Sequence, residues 1–261
     1  MLKVRRIELL APAKNLECGI EAINHGADAV YIGAPKFSAR AAAGNTLDDI
    51  KALAEYAHLY RAKVYVALNT ILSDKELKDA EKLIWQLYSE AKIDALIIQD
   101  MGITMLNLPP IALHASTQMD NRGIEKVRFL EKAGFQQIVL ARELTIDEIS
   151  EIASQVKTPL EVFVHGALCV CYSGQCYLSE ALSGRSANKG SCAQYCRLPY
   201  TLVDADGEEI MAKKHFLSMK DFNLSESLED LLEAGVTSLK IEGRLKDVSY
   251  VKNVVAYYRQ R

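Results

Sequence analysis

Cysteine is the residue type whose placement in this sequence points most directly to chemistry. Five of the six cysteines lie between positions 169 and 196, whereas Cys18 stands alone in a helical pattern. The five are Cys169, Cys171, Cys176, Cys192 and Cys196. Cysteines that merely fill a core would be scattered. The clustering therefore leaves three explanations open: disulfide bonds, a metal or cluster site, and a reactive thiol.

Composition favours metal or redox chemistry over disulfides. The chain has 261 residues, of which 49% are hydrophobic and 25% charged, and these values are ordinary for a globular protein with a sizeable core. Residues 1–6 are too short and too quickly charged for a signal peptide, and no apolar run approaches the length of a membrane span. We therefore expect a cytoplasmic protein with no membrane partner, a compartment where disulfides are rare.

The cysteine spacing does not identify the metal. Cys169 and Cys176 form a C-x6-C pair, and Cys192 and Cys196 form a C-x3-C pair. Neither pair matches the C-x2-C of a zinc ribbon or the dense run of a bacterial ferredoxin. Four thiolates from a long loop could still hold either a zinc ion or an iron–sulfur cluster.

Short β-rich runs alternate with segments of helical periodicity along most of the chain. This alternation predicts a parallel sheet, and eight strand–helix units favour a closed (β/α)8 barrel of the TIM type. An open doubly wound sheet is the alternative, but the first strand lacks a glycine-rich phosphate fingerprint. Asn15, Thr46 and Thr145 are predicted helix N-caps. The predicted strands are 7–10, 29–33, 64–68, 95–98, 111–114, 137–141, 160–164 and 238–241.

The alternation breaks after the seventh strand. Residues 165–217 contain no clean strand–helix unit, although residues 200–203 and 208–211 predict a small β-hairpin around a turn. We therefore interpret residues 1–261 as a single barrel domain with a cysteine-rich insertion at 165–217. The chain stops inside a predicted helix, so we expect the natural protein to continue beyond Arg261.

Polar residues occupy the predicted strand ends, where barrels of this type carry their active sites. Such a ring could bind an anionic small molecule, because the planar fork of arginine pairs with both oxygens of a carboxylate. The competing interpretation is that these residues cap helices or pair with each other, for example Arg142 with Glu143. The catalytic candidates are His114, Arg142, Glu143, His165, Glu242 and Arg244, and the cofactor-binding candidates are Asn69, Gln99, Ser116 and Gln118.

One local segment could contact RNA despite a net charge of −3. Between positions 181 and 202 the sequence contains Arg185, Lys189 and Arg197 and no acidic residue. A basic segment beside the predicted active site could bind phosphates. A solvated loop is the alternative interpretation.

The motif around the cysteines resembles the signature of the collagenase-like peptidases, peptidase family U-32. It reads E-x-F-x-x-G-A-L-C-x-x-x-x-G-x-C-x-L-S over residues 161–179. The segments 26–33, 69–70, 114–116, 140–144 and 239–244 are similar to other blocks of that family. The resemblance covers essentially the whole chain.

Within that family, the segments 99–102, 184–188 and 197–202 are most similar to the branch that hydroxylates a 23S rRNA cytidine to 5-hydroxycytidine. This resemblance implies a 4Fe–4S cluster on a barrel and oxygen-independent hydroxylation, with prephenate as the oxygen source. It implies Cys169, Cys176, Cys192 and Cys196 as ligands, while Cys171 is extra to the motif. The implied partners are ribosomal RNA and a carboxylated small molecule, and the resemblance also implies a further C-terminal domain in the natural protein.

Three other functions remain open at this stage. A sister branch of the family hydroxylates tRNA uridine. A collagenase-like peptidase would need an activated nucleophile, and Cys169 with His165 is the available pair because HExxH and GxSxG motifs are absent from the sequence. A zinc-stapled RNA-binding scaffold without catalysis is the third alternative.

Overall fold

The computed structural model describes residues 6–39 and 44–261. Residues 1–5 lie outside this part of the chain. The prediction that the sequence begins without a signal peptide rests mostly on these residues. Within the described ranges, no helix is both long enough and apolar enough to cross a membrane.

Eight of the strands in the described residues form a closed parallel barrel, as predicted. Strands β1 to β7 pair in sequence order, and β11 closes the barrel by pairing with both β7 and β1. The strands are β1 Glu8–Ala13, β2 Ala29–Gly33, β3 Lys63–Leu68, β4 Ala95–Ile98, β5 Ala112–Ala115, β6 Gln137–Val139, β7 Leu160–Gly166, β8 Tyr200–Val203, β9 Glu209–Lys214, β10 Phe222–Asn223 and β11 Ser238–Ile241.

Helices connect most of the barrel strands and cover the outside of the sheet. Asn15, Thr46 and Thr145 cap α1, α2 and α5 as predicted, because each side chain accepts a hydrogen bond from a backbone amide of the first turn. The helices are α1 Leu16–Asn24, α2 Leu47–Leu59, α3 Asp74–Ser89, α4 Ile124–Lys132, α5 Ile146–Gln155, α6 Leu178–Ser183, α7 Leu228–Glu233 and α8 Val248–Gln260. Between β4 and β5, a 3-10 helix over Met101–Met105 replaces a full α-helix.

Alternate residues of each barrel strand face the helices and the barrel interior. On β7, Val162 and Val164 belong to the main apolar core, whereas Glu161 and Phe163 face inwards. A smaller apolar cluster fills part of the interior with Leu10, Ala29, Tyr31, Tyr65, Ala67, Ala95 and Ile97. The barrel is therefore filled by side chains over part of its depth, and its polar chemistry is confined to the remaining interior positions and the strand ends.

The insertion leaves the barrel at the carboxyl end of β7 and returns through β10. Strand β10 pairs antiparallel with β7, so the chain rejoins the sheet a few residues later than the predicted boundary at 217. The predicted β-hairpin is confirmed as β8 and β9. Helix α6 was not predicted, because six residues are too few to show helical periodicity.

The barrel depends on apolar side chains of the outer helices. Ile84 on α3 is fully buried in the main core. We expect Ile84→Ala to lower the free energy of unfolding by about 2–5 kcal/mol, because it leaves a cavity between helix and sheet. Lys82→Ala on the exposed side of the same helix should change it by less than about 0.5 kcal/mol. Urea unfolding measures both, and equal effects would contradict this assignment of the core face.

Candidate active site

A cavity of about 390 Å³ opens at the carboxyl ends of the barrel strands. Its volume lies within the usual range for small-molecule sites. Barrel residues form its floor, and the insertion forms much of its wall. Of the predicted site residues, the structure brings together Asn69, Ser116, Gln118, Arg142, Cys169, Cys176, Arg185, Cys192, Cys196, Glu242 and Arg244 around this cavity.

Two glycines allow the insertion to lie directly on the strand ends. Gly174 has a φ of +76°, and a Cβ added there would be 2.0 Å from the carbonyl oxygen of Gln118. Gly190 has a φ of +83°, and its Cβ would be 2.8 Å from the carbonyl oxygen of Ser38. Both positions combine a left-handed backbone with a close approach to other backbone, a combination that only glycine accommodates.

Hydrogen bonds fasten the insertion at several further points. The amide of Ile71 donates to the carbonyl of Asn188 at 3.2 Å. The backbone amide and hydroxyl of Ser173 both donate to the carboxylate of Glu143, each at 2.9 Å. The guanidinium of Arg122 lies over the ring of Tyr172 at 3.8 Å. The insertion is therefore bound to the loops after β3, β5 and β6.

The cysteines divide between the cavity and other positions. The four cavity cysteines are those that the family resemblance implied as ligands, whereas Cys171 does not line the cavity and Cys18 is buried in α1. Burial raises the pKa of the Cys169 thiol, and the nearby Cys176 and Cys192 thiols raise it further. This effect on Cys169 reflects its closeness to the other two sulfurs, because a negative charge nearby disfavours ionisation of a thiol.

Thiol sulfur is a suitable metal ligand, but the described side chains are not arranged as a metal-coordination site. Within residues 6–39 and 44–261, no group of three or more histidine, cysteine or carboxylate side chains is positioned to hold a metal ion. All five cysteines of the segment are free. Thiolate sulfur is the preferred ligand of iron–sulfur clusters and of zinc, so the donor set fits either group.

Arg142 and Arg244 line the cavity together with the cysteines. Arg142 lies over the ring of Phe163 at 4.1 Å, donates to the carbonyl of Ala167 and pairs with Glu242 at 3.5 Å. The predicted alternative pairing with Glu143 is therefore not the one observed. The Nε of Arg142 is buried and has no hydrogen-bond partner among the described residues. Arg244 donates to the hydroxyl of Ser38 at 3.0 Å.

Strand-end amides and hydroxyls complete the floor of the cavity. Asn69 accepts from the amide of Ala39 at 3.0 Å, and its own amide group donates to Ser116 at 3.4 Å. Ser116 caps the 3-10 helix over Thr117–Met119 by accepting from the amide of Gln118. The capping interpretation thus holds for Ser116, and these side chains are held rigidly at the cavity edge.

Several predicted site residues lie away from the cavity. His114 faces the barrel interior, packed edge-on against Tyr65 at 4.6 Å. His165 points towards α8, where its Nδ1 lies 3.3 Å from the hydroxyl of Tyr258. The predicted pairing of His165 with Cys169 as a thiol nucleophile is therefore not seen. Glu143 accepts hydrogen bonds from Ser173 of the insertion. Gln99 donates to the carbonyl of Gln118.

The three predicted RNA-contact residues have different surroundings. Arg185 is exposed and lines the cavity rim. Lys189 is exposed and pairs with Glu76 on α3 at 3.2 Å. Arg197 is half-buried and donates to the carbonyls of Leu168 and Met219, so its guanidinium braces the insertion. Contact of these three residues with RNA stays a prediction, and for Arg197 part of the guanidinium is already engaged within the insertion.

Sequence reasoning missed Lys240, which lines the cavity from the middle of β11. A signal was available, because this lysine lies between the core residues Leu239 and Ile241 of a predicted strand. Period-2 alternation places it on the inner face of the barrel. The aromatic lining residues Tyr31 and Phe163 follow from the same alternation.

The sequence was then compared with known proteins. Residues 14–261 match the profile of Peptidase family U32. The chain belongs to this family. A solved structure of a U32 peptidase superposes with a TM-score of 0.59 at 12% identity and covers 93% of this chain and 96% of its own, which supports the barrel fold of this U32 member.

Two curated relatives carry the names of RNA hydroxylation proteins. A protein of Escherichia coli (strain K12) named as a 23S rRNA 5-hydroxycytidine synthase is 58% identical over 98% of this U32 chain and 39% of its own length. The tRNA hydroxylation protein P1 of Bacillus subtilis (strain 168) is 38% identical over 98% of this chain and 63% of its own. The chain thus spans about two fifths of the first relative and under two thirds of the second.

The contact between Gly174 and Gln118 gives a test of how the insertion is seated. We expect Gly174→Ala to displace the insertion, because its Cβ would collide with fixed backbone. Gly184→Ala is the matched control, since Gly184 also has a positive φ but its Cβ would meet nothing within 4 Å. Limited proteolysis should cut residues 165–217 of Gly174→Ala several times faster than those of Gly184→Ala. Equal cutting rates would show that the positive φ, and not the close contact with Gln118, explains any effect on the insertion.

His114 gives a test by pH. Burial lowers the pKa of His114 to about 3, whereas the unfolded chain keeps a value of about 6.5. As pH falls below 6.5 the unfolded state binds the proton first, so stability present at neutral pH is lost towards pH 3. We expect His114→Gln to remove up to about 1.4 kcal/mol per pH unit of this dependence.

Urea unfolding of the wild type and His114→Gln at pH 7.5 and pH 5.5 measures the difference. The wild type should lose more stability than the variant between the two conditions. His215→Gln, at an exposed position, controls for the substitution itself. Parallel losses in wild type and His114→Gln would contradict the neutral, buried state of His114.

Proposed function

We propose that this chain is the barrel domain of an RNA hydroxylase that converts a 23S rRNA cytidine to 5-hydroxycytidine. The proposal includes a 4Fe–4S cluster held by Cys169, Cys176, Cys192 and Cys196, and prephenate as the oxygen source. The observation that carries it is the meeting of these four thiols with arginines in one cavity, in a chain 58% identical to the E. coli synthase.

The residues of the cavity suit two different tasks. An iron–sulfur cluster held by the four cysteines would supply electron transfer or a site for the oxygen donor. In the same cavity, Arg142 offers a guanidinium fixed between Phe163 and Glu242, and a fixed guanidinium suits a carboxylate. The donor would therefore be held by this chain's own residues, close to the thiols.

The target nucleotide would enter from the rim of the cavity. Arg185 is exposed there, and Tyr172 is an exposed aromatic residue that lines the same opening. Aromatic faces stack on unpaired bases, and arginine contacts phosphates. This arrangement supports a single nucleotide inserted from a looped RNA, with Lys189 further out beside α3.

Other functions receive less support from the geometry. A thiol peptidase needs a base beside Cys169, and His165 instead packs against Tyr250 and Tyr258 of α8. A zinc-stapled scaffold would not need arginines fixed in the same cavity as the thiols. The B. subtilis relative is named as a tRNA hydroxylation protein. Hydroxylation of tRNA uridine by the sister branch would use the same elements and becomes an outcome of the test.

The test replaces cysteines in the full-length protein within cells that lack the native copy. We expect Cys169→Ser and Cys176→Ser each to abolish 5-hydroxycytidine in 23S rRNA, because each removes a proposed ligand of the cluster. Cys171→Ser and Cys18→Ser should keep it near the wild-type level, because neither residue lines the cavity. Mass spectrometry of digested rRNA and tRNA measures the modification.

Metal analysis of anaerobically purified protein separates the alternatives. About four irons and four sulfides per chain are expected of the wild type. A colourless protein with a single zinc would support the scaffold. Unchanged 5-hydroxycytidine in the deletion strain, with 5-hydroxyuridine lost from tRNA, would move the proposal to the sister reaction.

A further inference from the structure

Lys240 is a buried amine at the floor of the cavity, with no part in the function proposed above. It lies in the middle of β11, is 3% exposed and lines the cavity. The register between β11 and β7 shifts immediately after it, between Lys240 and Ile241. Such bulges commonly re-aim side chains beside active sites.

Two aromatic rings and one carboxylate lie closest to Lys240, and Glu242 and Arg244 line the same cavity. Its Nζ lies 2.5 Å from Oε1 of Glu161, and the rings of Tyr31 and Phe163 are 4.4 Å and 5.4 Å away. Burial lowers the pKa of Lys240 and raises the pKa of Glu161, while the attraction between the two opposes both shifts. Burial therefore favours transfer of the proton to Glu161, which leaves a neutral amine.

Glu161 connects the amine to the far end of the barrel. The Ser238 hydroxyl lies 3.4 Å from Glu161 and donates to Glu8 at 2.8 Å. Glu8 is only partly buried and also accepts from Tyr65. A carboxyl–hydroxyl–carboxyl series thus leads away from the cavity, and it gives the proton of Lys240 a place to go.

We propose that Lys240 is a nucleophilic amine that forms an iminium with the ketone of a 2-oxo carboxylate bound in the cavity. The ligand's carboxylate would pair with Arg142, whose Nε is buried without a hydrogen-bond partner among the described residues. Desolvated lysines beside a base are the usual origin of such chemistry. The inference deepens the proposed function, because prephenate also carries a 2-oxo carboxylate.

The step is balanced without an oxidant or reductant. Nζ attacks the carbonyl carbon, and one proton passes from the nitrogen to the ketone oxygen to give a neutral carbinolamine. The hydroxyl then takes the proton of the protonated Glu161 and leaves as water, while the nitrogen lone pair forms the C=N bond of the iminium and Glu161 is left as a carboxylate. Hydrolysis reverses the sequence and restores the Lys240–Glu161 pair.

Trapping with pyruvate and sodium cyanoborohydride tests the inference directly. The borohydride delivers a hydride to the iminium carbon and leaves a stable N-(1-carboxyethyl) lysine, which peptide mass spectrometry locates. Labelling at Lys240 should exceed labelling at the exposed Lys252 several-fold at neutral pH, because the cavity holds the ketone beside Lys240 and burial favours the neutral amine there.

Variants and controls make the result decisive. Lys240→Arg should abolish this adduct while leaving the slow labelling of other lysines unchanged, and Lys252→Arg should leave the Lys240 adduct intact. Glu161→Gln should reduce the initial labelling rate. If surface lysines of the wild type are labelled and Lys240 is not, the inference is overturned. Lys240 and Glu161 would then have only a structural role as an ion pair. This readout is independent of RNA, so it can fail while 5-hydroxycytidine formation stands, and the reverse also holds.

Discussion

The close contact between the insertion and the barrel mouth is the constraint on which the site depends. At Gly174 the backbone of the insertion lies against the carbonyl of Gln118 with no room for a side chain. Gly190 makes the equivalent approach to Ser38 on the other side of the mouth. These two glycine contacts, together with the Ser173–Glu143 hydrogen bonds, hold the four cysteines of one segment around the cavity at the barrel mouth. A loop fixed less closely would leave the thiols spread in solvent.

The second organising feature is the Lys240–Glu161 pair inside the barrel. Removing an amine and a carboxyl group from water is expensive, and such a buried pair contributes little or no net stability compared with apolar residues. Lys240 and Glu161 nevertheless lie in the barrel interior, beside an apolar cluster contributed by strands β1 to β4. Such an arrangement is more readily explained by chemistry at the cavity floor than by stability. It also matches the position of active sites in this class of barrel.

Much of the fold could be predicted from the sequence, because its signals are local. Strand β2 and strand β4 were predicted at their observed bounds, since both are apolar runs ended by clear breaks. Asn15, Thr46 and Thr145 cap their helices because capping depends on a side chain and the next three residues. The short helix α6 and strand β10 were missed because elements of this length carry no periodicity of their own.

The site was predicted less completely, because side-chain direction at a strand end depends on the last residues of the strand. His165 and Glu242 both follow predicted strand segments, yet His165 faces α8 and Glu242 lines the cavity. The sequence alone determined the barrel, the insertion and the identity of the thiols, since these rest on local pattern and residue type. Only the tertiary structure decided which residues meet. Strand register, the two glycine contacts and the pairing of Lys240 with Glu161 arise between segments far apart in the chain, where no local pattern reaches.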